Sequence, residues 1–134
     1  SLVTQLVTAG AEVEAHCSPT LEIDAVRADW TSVLSNLIGN SLHHGFGQRG
    51  HGRIIIHASA DSRLVTIDYR DDGVGMSAEV RQKIFDPFFS TDLQHGMGLG
   101  MHLVYNLITQ RMGGSIVCNS MPGEGAQFHI EVPL

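Results

Sequence analysis

The sequence predicts an α+β fold in which a mixed, mostly antiparallel sheet carries helices on one face. Two observations support this prediction. Strand-like segments occur in neighbouring pairs joined by short turns, and the two long helical segments do not alternate with strands as in βαβ units. With 134 residues, of which 43% are hydrophobic and 16% charged, the chain is expected to form a single domain over residues 1–134.

The first part of the chain combines two short strand candidates, residues 12–16 and 21–24, with a long helix. The helix is predicted over residues 29–44, with Asp29 as its N-cap and Gly45 as its stop. One arc of this helix is almost entirely apolar at helical spacing, and its members are Trp30, Val33, Leu34, Leu37, Ile38, Ser41 and Leu42.

Two β-hairpins are predicted in the rest of the chain. Residues 45–52 contain four glycines and are expected to form a loop. Residues 53–60 and 64–70 then pair across a short turn, and residues 115–119 and 126–132 form the second hairpin.

Two further helices are predicted between these hairpins. A short one occupies residues 77–80, with Ser77 as its N-cap. The last long helix covers residues 98–111 and is stopped by Gly113 and Gly114.

Two glycine-rich turns are the most informative motifs. Residues 71–76 (DDGVGM) begin with the carboxylate of Asp71, and residues 96–101 (GMGLGM) lead directly into the last helix. Glycine lets the backbone approach a ligand closely, and a glycine turn that opens a helix offers free N–H groups to phosphate. The pair therefore predicts a nucleotide site, although each turn alone is also compatible with an ordinary surface turn.

Two commoner glycine motifs are excluded. A P-loop requires Lys followed by Ser or Thr after its last glycine, and here Met101 and His102 follow Gly100. A dinucleotide-binding fingerprint requires G-x-G-x-x-G, whereas the spacing here is G-x-G-x-G.

Asn36, Asn40 and His43 form a polar stripe on the first long helix, because residues three and four apart are neighbours. An amide oxygen is a ligand suited to Mg²⁺. The alternative is that the two asparagines only solvate a helix face, although asparagine has poor helix propensity.

Five segments, in order, resemble the sequence boxes of the catalytic and ATP-binding domain of bacterial sensor histidine kinases, in the superfamily that includes gyrase, Hsp90 and MutL. They are the N box at 36–44, the first glycine box at 71–76, the F box at 84–91, the second glycine box at 96–101 and the third at 123–128. The resemblance covers about residues 11–134 and implies a Bergerat-type two-layer α/β sandwich.

The resemblance implies a role for each matching residue. Asn40 would coordinate Mg²⁺, and Asp71 would accept a hydrogen bond from the adenine amino group of ATP. His43 stands where the family often carries a Lys or Arg that faces the phosphates. The remaining ATP-binding positions are Gly73, Gly75, Met76, Phe85, Gly96, Gly98, Leu99, Gly100 and Met101.

Asn36 distinguishes a kinase from an ATPase within this superfamily. Gyrase-like members carry a glutamate there as a base for water, and an asparagine cannot take up that proton. The resemblance therefore implies transfer of the γ-phosphoryl group to a histidine on a separate helical-hairpin domain, for relay to a response regulator. None of the eight histidines is followed by Asp or Glu, as such acceptors usually are, so this dimerisation and phosphoacceptor domain is expected to be absent and the chain alone not to phosphorylate itself.

Residues 86–96 are expected to form a mobile lid over ATP. Phe85, Phe88 and Phe89 either act as its hinge or anchor it to the core. Asp92 stands where the family often has a lysine, which leaves open a nucleotide-binding pseudokinase. A protein-serine kinase or anti-sigma-type regulator of the same superfamily is the other alternative.

Composition excludes several other classes. The net charge of −6 argues against nucleic-acid binding, and the lack of an 18-residue apolar run argues against membrane insertion. The resemblance to sensor histidine kinases implies a cytoplasmic location, and it leaves open whether the whole receptor is bound to a membrane. Cys17 and Cys118 have no metal-ligand spacing and are expected to be reduced, and the histidines are expected to be ordinary surface residues.

Overall fold

The fold is built on a sheet whose six strands lie within the described residues of a computed structural model. The described residues are 2–8, 11–17, 27–46, 50–87, 89 and 100–134. In sheet order β1-β2-β3-β4-β6-β5, the strands are β1 (Leu2–Thr8), β2 (Ala11–Cys17), β3 (Gly52–Ala60), β4 (Leu64–Asp71), β6 (Ala126–Pro133) and β5 (Ser115–Ser120).

The pairing confirms a mixed, mostly antiparallel sheet. Strands β2 and β3 are parallel, and every other neighbouring pair is antiparallel. The alternation of β4 directs Val65, Ile67, Tyr69 and Asp71 to the inward face, because successive side chains of a strand point to opposite sides. The register places Asp71 opposite Ala126 of β6.

Two long helical segments cover the inward face. Helix α1 (Arg27–Asn40) continues as a π-helical turn, Ser41–Gly45, and helix α3 (Gly100–Asn106) continues as a second one, Leu107–Arg111. The short helix α2 (Ala78–Lys83) lies between them in sequence. Helices α1 and α3 pack against each other, and both contribute buried apolar side chains to the core.

The predicted apolar arc of α1 is confirmed. Trp30, Val33, Leu37 and Ser41 are buried, and the other members pack against the core. The prediction that Asp29 is the N-cap is wrong, because the helix begins two residues earlier, at Arg27. Asp29 lies in the first turn instead, where a carboxylate is favoured by the helix dipole, and Arg111 donates to it at 3.0 Å.

Both predicted hairpins are present as β3–β4 and β5–β6. In the first turn, the Asp61 carboxylate accepts the N–H groups of Arg63 and Leu64, and these bonds lower the pKa of Asp61. Ser77 caps α2 by accepting the N–H of Val80 at 3.2 Å, as predicted, although this helix extends to Lys83.

Further observations bear on the remaining expectations from the sequence. Strand β1 was not predicted, and the strand candidate at residues 21–24 lies outside the described residues. Cys17 and Cys118 are both free thiols. Within the described part of the chain, no group of three or more His, Cys, Asp or Glu residues could hold a metal ion. None of the described helices is long and apolar enough to cross a membrane.

Candidate nucleotide-binding site

The carboxylate of Asp71 is the most heavily bonded polar group of the site. It is only 7% exposed, at the inward-facing end of β4. Its Oδ1 accepts the backbone N–H groups of Gly73 and Ala126, each at 3.0 Å. Its Oδ2 accepts the hydroxyl of Ser41 at 2.6 Å. Three separate segments of the chain therefore fix the orientation of this carboxylate.

A second buried hydroxyl extends this arrangement. The Tyr69 hydroxyl lies 2.6 Å from Ser41 Oγ and donates to the Leu37 carbonyl at 3.0 Å. Burial, with a further contribution from the charge of Asp71, raises the pKa of Tyr69 above its ordinary value. The tyrosine thus remains a hydrogen-bond donor at neutral pH. We call Leu37 O, Tyr69, Ser41 and Asp71 the hydroxyl chain.

Glycine is required where the β4–α2 loop passes close to other backbone. A Cβ on Gly73 would collide with the carbonyl of Gly45, which accepts the N–H of Val74 at 2.7 Å. Gly75 has a φ of +73°, and its Cβ would collide with the carbonyl of Met121. These close approaches confirm that the loop is a compact turn, as the glycine pattern predicts.

The β5–β6 turn supports this loop from the other side. Ser120 Oγ accepts the N–H of Met76 at 2.8 Å and donates to the Gly125 carbonyl at 2.6 Å. The N–H of Gly123 donates to the Val74 carbonyl at 2.6 Å. The first and third glycine boxes are therefore joined directly, and both lie beside Asp71.

The polar stripe of α1 lies next to the start of α3. Asn36 donates through Nδ2 to the Ser32 carbonyl at 2.7 Å, which leaves Oδ1 directed toward Gly100. A Cβ on Gly100 would lie 2.9 Å from this oxygen. Asn40 is half-buried and its side chain makes no capping bond, and His43 is exposed. The structure thus brings the N box and the end of the second glycine box together.

These asparagines fit a magnesium ion by the chemistry of their donor atoms. Amide oxygens are hard ligands, and Mg²⁺ usually combines one or two protein groups with water and substrate phosphates. Asn36 Oδ1 lies against Gly100, whereas Asn40 is half-buried and makes no capping bond, so Asn40 is the asparagine whose amide oxygen suits such a ligand set.

Phe85 and Met101 contact the core. The Phe85 ring is half-buried, with its centroid 5.4 Å from that of Tyr105 and 6.3 Å from that of Phe128. Its carbonyl lies 3.0 Å from His102 Nδ1. Met101 is buried at the start of α3. In this structure Phe85 is anchored to the core, and whether it also acts as a hinge stays a prediction.

Several predicted positions lie outside the described residues. They are Gly96, Gly98 and Leu99 of the second glycine box, together with Phe88 and most of the expected lid. Conversely, sequence reasoning missed the roles of Ser41, Tyr69 and Ser120. The presence of Ser41 on an otherwise apolar helix arc was the available signal, because a buried hydroxyl requires a partner.

Residues 25–134 match the family of histidine kinase-, DNA gyrase B- and HSP90-like ATPases. The chain belongs to this family. Over 107 residues it is 38% identical to the sensor histidine kinase RcsC of Escherichia coli strain K12, and the match spans 76% of this chain but 11% of RcsC. The predicted resemblance is therefore confirmed, and the chain corresponds to a small part of that relative.

Solved structures show the same fold. The catalytic domain of histidine kinase ThkA superposes with a TM-score of 0.75 at 27% identity, over 93% of this chain and 81% of that one. Full-length ShkA in complex with AMPPNP superposes with a TM-score of 0.77 at 31% identity, over 93% of this chain and 26% of that one. The α+β fold is thus that of histidine kinase catalytic domains, as the Bergerat-type resemblance predicts.

Proposed function

We propose that this chain is the catalytic domain of a sensor histidine kinase and that it binds Mg-ATP with Asp71 as the adenine-recognition residue. The unfilled acceptor position of Asp71 carries the proposal. Among the described residues, Oδ1 has two donors and Oδ2 has one, while each carboxylate oxygen can accept about two hydrogen bonds. One position on Oδ2 is therefore left for a ligand donor.

The surroundings of that position suit the amino group of adenine. A Cβ on Gly45 would lie 3.1 Å from Oδ2, so any residue larger than glycine would crowd the carboxylate on this side. An exocyclic amine can donate one hydrogen bond there. Guanine presents a carbonyl at the equivalent position, and two facing acceptors repel each other. ShkA, a relative of similar structure, was solved with the nucleotide AMPPNP, which supports a nucleotide in this region.

The stripe on α1 is proposed to serve the phosphate end. Asn40 would hold Mg²⁺, which supplies charge neutralisation at the phosphates when bound. His43 would face the phosphates, and the backbone amides of Gly96, Gly98, Leu99 and Gly100 would bind them. Asn36 leaves water without a base, so bound ATP is preserved for another nucleophile.

We infer that this nucleophile is a histidine on a helical-hairpin domain, which passes the phosphoryl group to a response regulator in the cytoplasm. Relatives that are sensor histidine kinases support this inference. Asp92, at a lid position where the family often has lysine, favours a pseudokinase module as the second candidate.

Calorimetry of nucleotide binding tests the adenine assignment. ATP is expected to bind at least about tenfold more tightly than GTP, because a buried acceptor left unpaired costs about 1–3 kcal/mol. Asp71→Asn should lose affinity for ATP. Asp61→Asn is the matched control, because Asp61 lies in an exposed turn and its replacement keeps the acceptor oxygen. Unchanged ATP affinity in Asp71→Asn would remove Asp71 from the site.

Labelling with γ-labelled ATP tests the reaction. The chain alone should acquire no acid-labile label and should hydrolyse ATP slowly. Addition of a kinase hairpin domain that carries an acceptor histidine should place the label on that domain. Tight ATP binding without transfer, even within a full-length kinase, would support the pseudokinase module instead.

A further inference from the structure

We propose that Tyr69 is a positioning residue for adenine recognition, because its hydroxyl holds Ser41 in the orientation that donates to Asp71. This inference rests on the proposed function. According to this inference, the hydroxyl chain contributes to the preference for adenine. Tyr69 then acts through its hydroxyl group as well as through the packing of its ring.

Because Ser41 lies in a helix, its hydroxyl needs a residue outside that helix to keep it bonded to Asp71. A serine within a helix commonly returns its hydroxyl to the carbonyl four residues earlier, which for Ser41 is the Leu37 carbonyl. Here that carbonyl accepts the Tyr69 hydroxyl at 3.0 Å, while Ser41 Oγ lies 2.6 Å from Asp71 Oδ2. Tyr69 therefore occupies the partner that Ser41 would otherwise use within its own helix.

The number of hydroxyl hydrogens in the hydroxyl chain also indicates that Ser41 donates to Asp71. Ser41 and Tyr69 each carry one hydroxyl hydrogen, whereas the carboxylate and the carbonyl only accept. The 2.6 Å contact with Asp71 uses the hydrogen of Ser41. The hydrogen of Tyr69 then has two acceptors, Ser41 Oγ at 2.6 Å and Leu37 O at 3.0 Å. Directed at Ser41 Oγ, this hydrogen leaves the hydrogen of Ser41 for Asp71, and directed at Leu37 O it occupies the carbonyl to which Ser41 would otherwise turn.

The fold fixes Tyr69 in this place. Tyr69 and Asp71 are two residues apart on β4, so both side chains point to the inward face. Tyr69 is fully buried, and its ring meets the Phe128 ring edge-on at 6.1 Å. The ring is thus held by the core, and the hydroxyl has little freedom to leave Ser41 and Leu37.

The consequence concerns the acceptor capacity of Asp71. With Ser41 in place, Oδ2 has one position left, which matches a single amine donor. If Ser41 turns back to Leu37, Oδ2 has two positions left and loses the donor that fixes its orientation. The preference for a base with a 6-amino group should then decline, while binding through the phosphates remains.

Two hydroxyl deletions and their combination test this inference. The variants are Tyr69→Phe, Ser41→Ala and the double variant, with Tyr105→Phe as a control that removes the hydroxyl of a more exposed tyrosine. Calorimetry gives the affinities for Mg-ATP and for the triphosphate of purine riboside, which lacks the amino group. The measured quantity is the ratio of the two affinities.

Each single variant is expected to lower this ratio roughly three- to tenfold, the usual range for one hydrogen bond. The double variant should lower it no further, because the two hydroxyls act as one unit. Tyr105→Phe should keep the parental ratio. A crystal structure of Tyr69→Phe should show Ser41 Oγ within hydrogen-bond distance of the Leu37 carbonyl.

A parental ratio in Tyr69→Phe, additive losses in the double variant, or Ser41 still bonded to Asp71 in the crystal would each overturn the proposal. Tyr69→Met, which also lacks a hydroxyl, replaces Tyr69→Phe if that variant does not fold. A parent protein that binds both triphosphates equally would instead overturn the proposed adenine recognition by Asp71.

Discussion

The base end and the phosphate end of the candidate site are built differently. At the base end, Asp71 is buried and bonded to Ser41, Gly73 and Ala126, which belong to three separate segments. At the phosphate end, the asparagines are half-buried and share one helix with the exposed His43. The fold therefore organises the proposed base end without a ligand, whereas we propose that nucleotide and metal complete the phosphate end.

The glycines show the same difference. Gly73 and Gly75 are confined by backbone carbonyls, which cannot move without displacing a whole segment. Within the described part of the chain, an added Cβ on Gly100 would meet the side chain of Asn36 and no backbone atom. Substitutions at the base end should therefore cost stability, and those at the phosphate end should mainly cost affinity.

The largest effect is expected for Asp71→Ala. The change leaves the Ser41 hydroxyl and the N–H groups of Gly73 and Ala126 without their acceptor. The free energy of unfolding should fall by about 3 kcal/mol or more, at about 1–3 kcal/mol for each buried group. Asn36→Ala should stay within about 1 kcal/mol of the parent. Urea unfolding of both variants measures this, and equal losses would contradict the comparison.

A pair of glycine substitutions comes next. Gly73→Ala should lower the free energy of unfolding by about 2 kcal/mol or more, since its Cβ meets the Gly45 backbone. Gly100→Ala should change it by about 0.5 kcal/mol or less, because Asn36 can rotate away. Its affinity for Mg-ATP should nevertheless fall.

Gly39→Ala provides the reference for this pair. Gly39 lies inside α1, and no atom of the described residues lies within 4 Å of an added Cβ, so alanine there should stabilise the helix by up to about 1 kcal/mol. The midpoint of thermal unfolding should be highest for Gly39→Ala, lower for Gly100→Ala and lowest for Gly73→Ala. A Gly100→Ala variant as unstable as Gly73→Ala would show that the two ends are equally rigid.

Asn40→Ala tests the phosphate end by affinity. The loss of an amide ligand should weaken Mg-ATP binding on the order of tenfold, which is about 1.4 kcal/mol, and should leave metal-free ADP almost unchanged. Asn119→Ala, on an exposed outward position of β5, is the matched control. Equal losses for both ligands would show that Asn40 has a structural role only.

The smallest effect, when measured below about pH 9.5, is a pH dependence at Cys118, which is buried on β5. Burial raises the pKa of this thiol from 9.0 to about 12. An unfolded chain loses the proton first, so the free energy of unfolding should decline as pH rises above about 9. The free energy of unfolding of Cys118→Ala should decline less steeply with pH. That of Ile116→Val, a control in the same strand, should follow the parent. Parallel curves for parent and Cys118→Ala would mean that this thiol is not shielded by the fold.

The sequence identifies Asp71 as the candidate for base recognition, which stays a prediction, but it does not predict the hydrogen bonds around that carboxylate. Asp71 was identified by its place before two glycines, and Asn36 and Asn40 by their helical spacing. The hydroxyl chain could not be predicted, because Ser41 and Tyr69 lie 28 residues apart and meet only through tertiary packing. Helix and hairpin positions followed from local periodicity and turn residues, whereas β1 depends on pairing with β2.

The partners of Asp71 also lie far apart along the chain, with Ser41 30 residues before it and Ala126 55 residues after it. The β3–β4 and β5–β6 hairpins are local and are expected to close early in folding, whereas the parallel β2–β3 pair is expected to form later, because α1 separates its two strands in sequence. We therefore expect the carboxylate to acquire its complete set of bonds only with the late long-range contacts. During refolding, the ability to recognise a base should appear with the slowest phase, and partly folded chains should not compete for nucleotide.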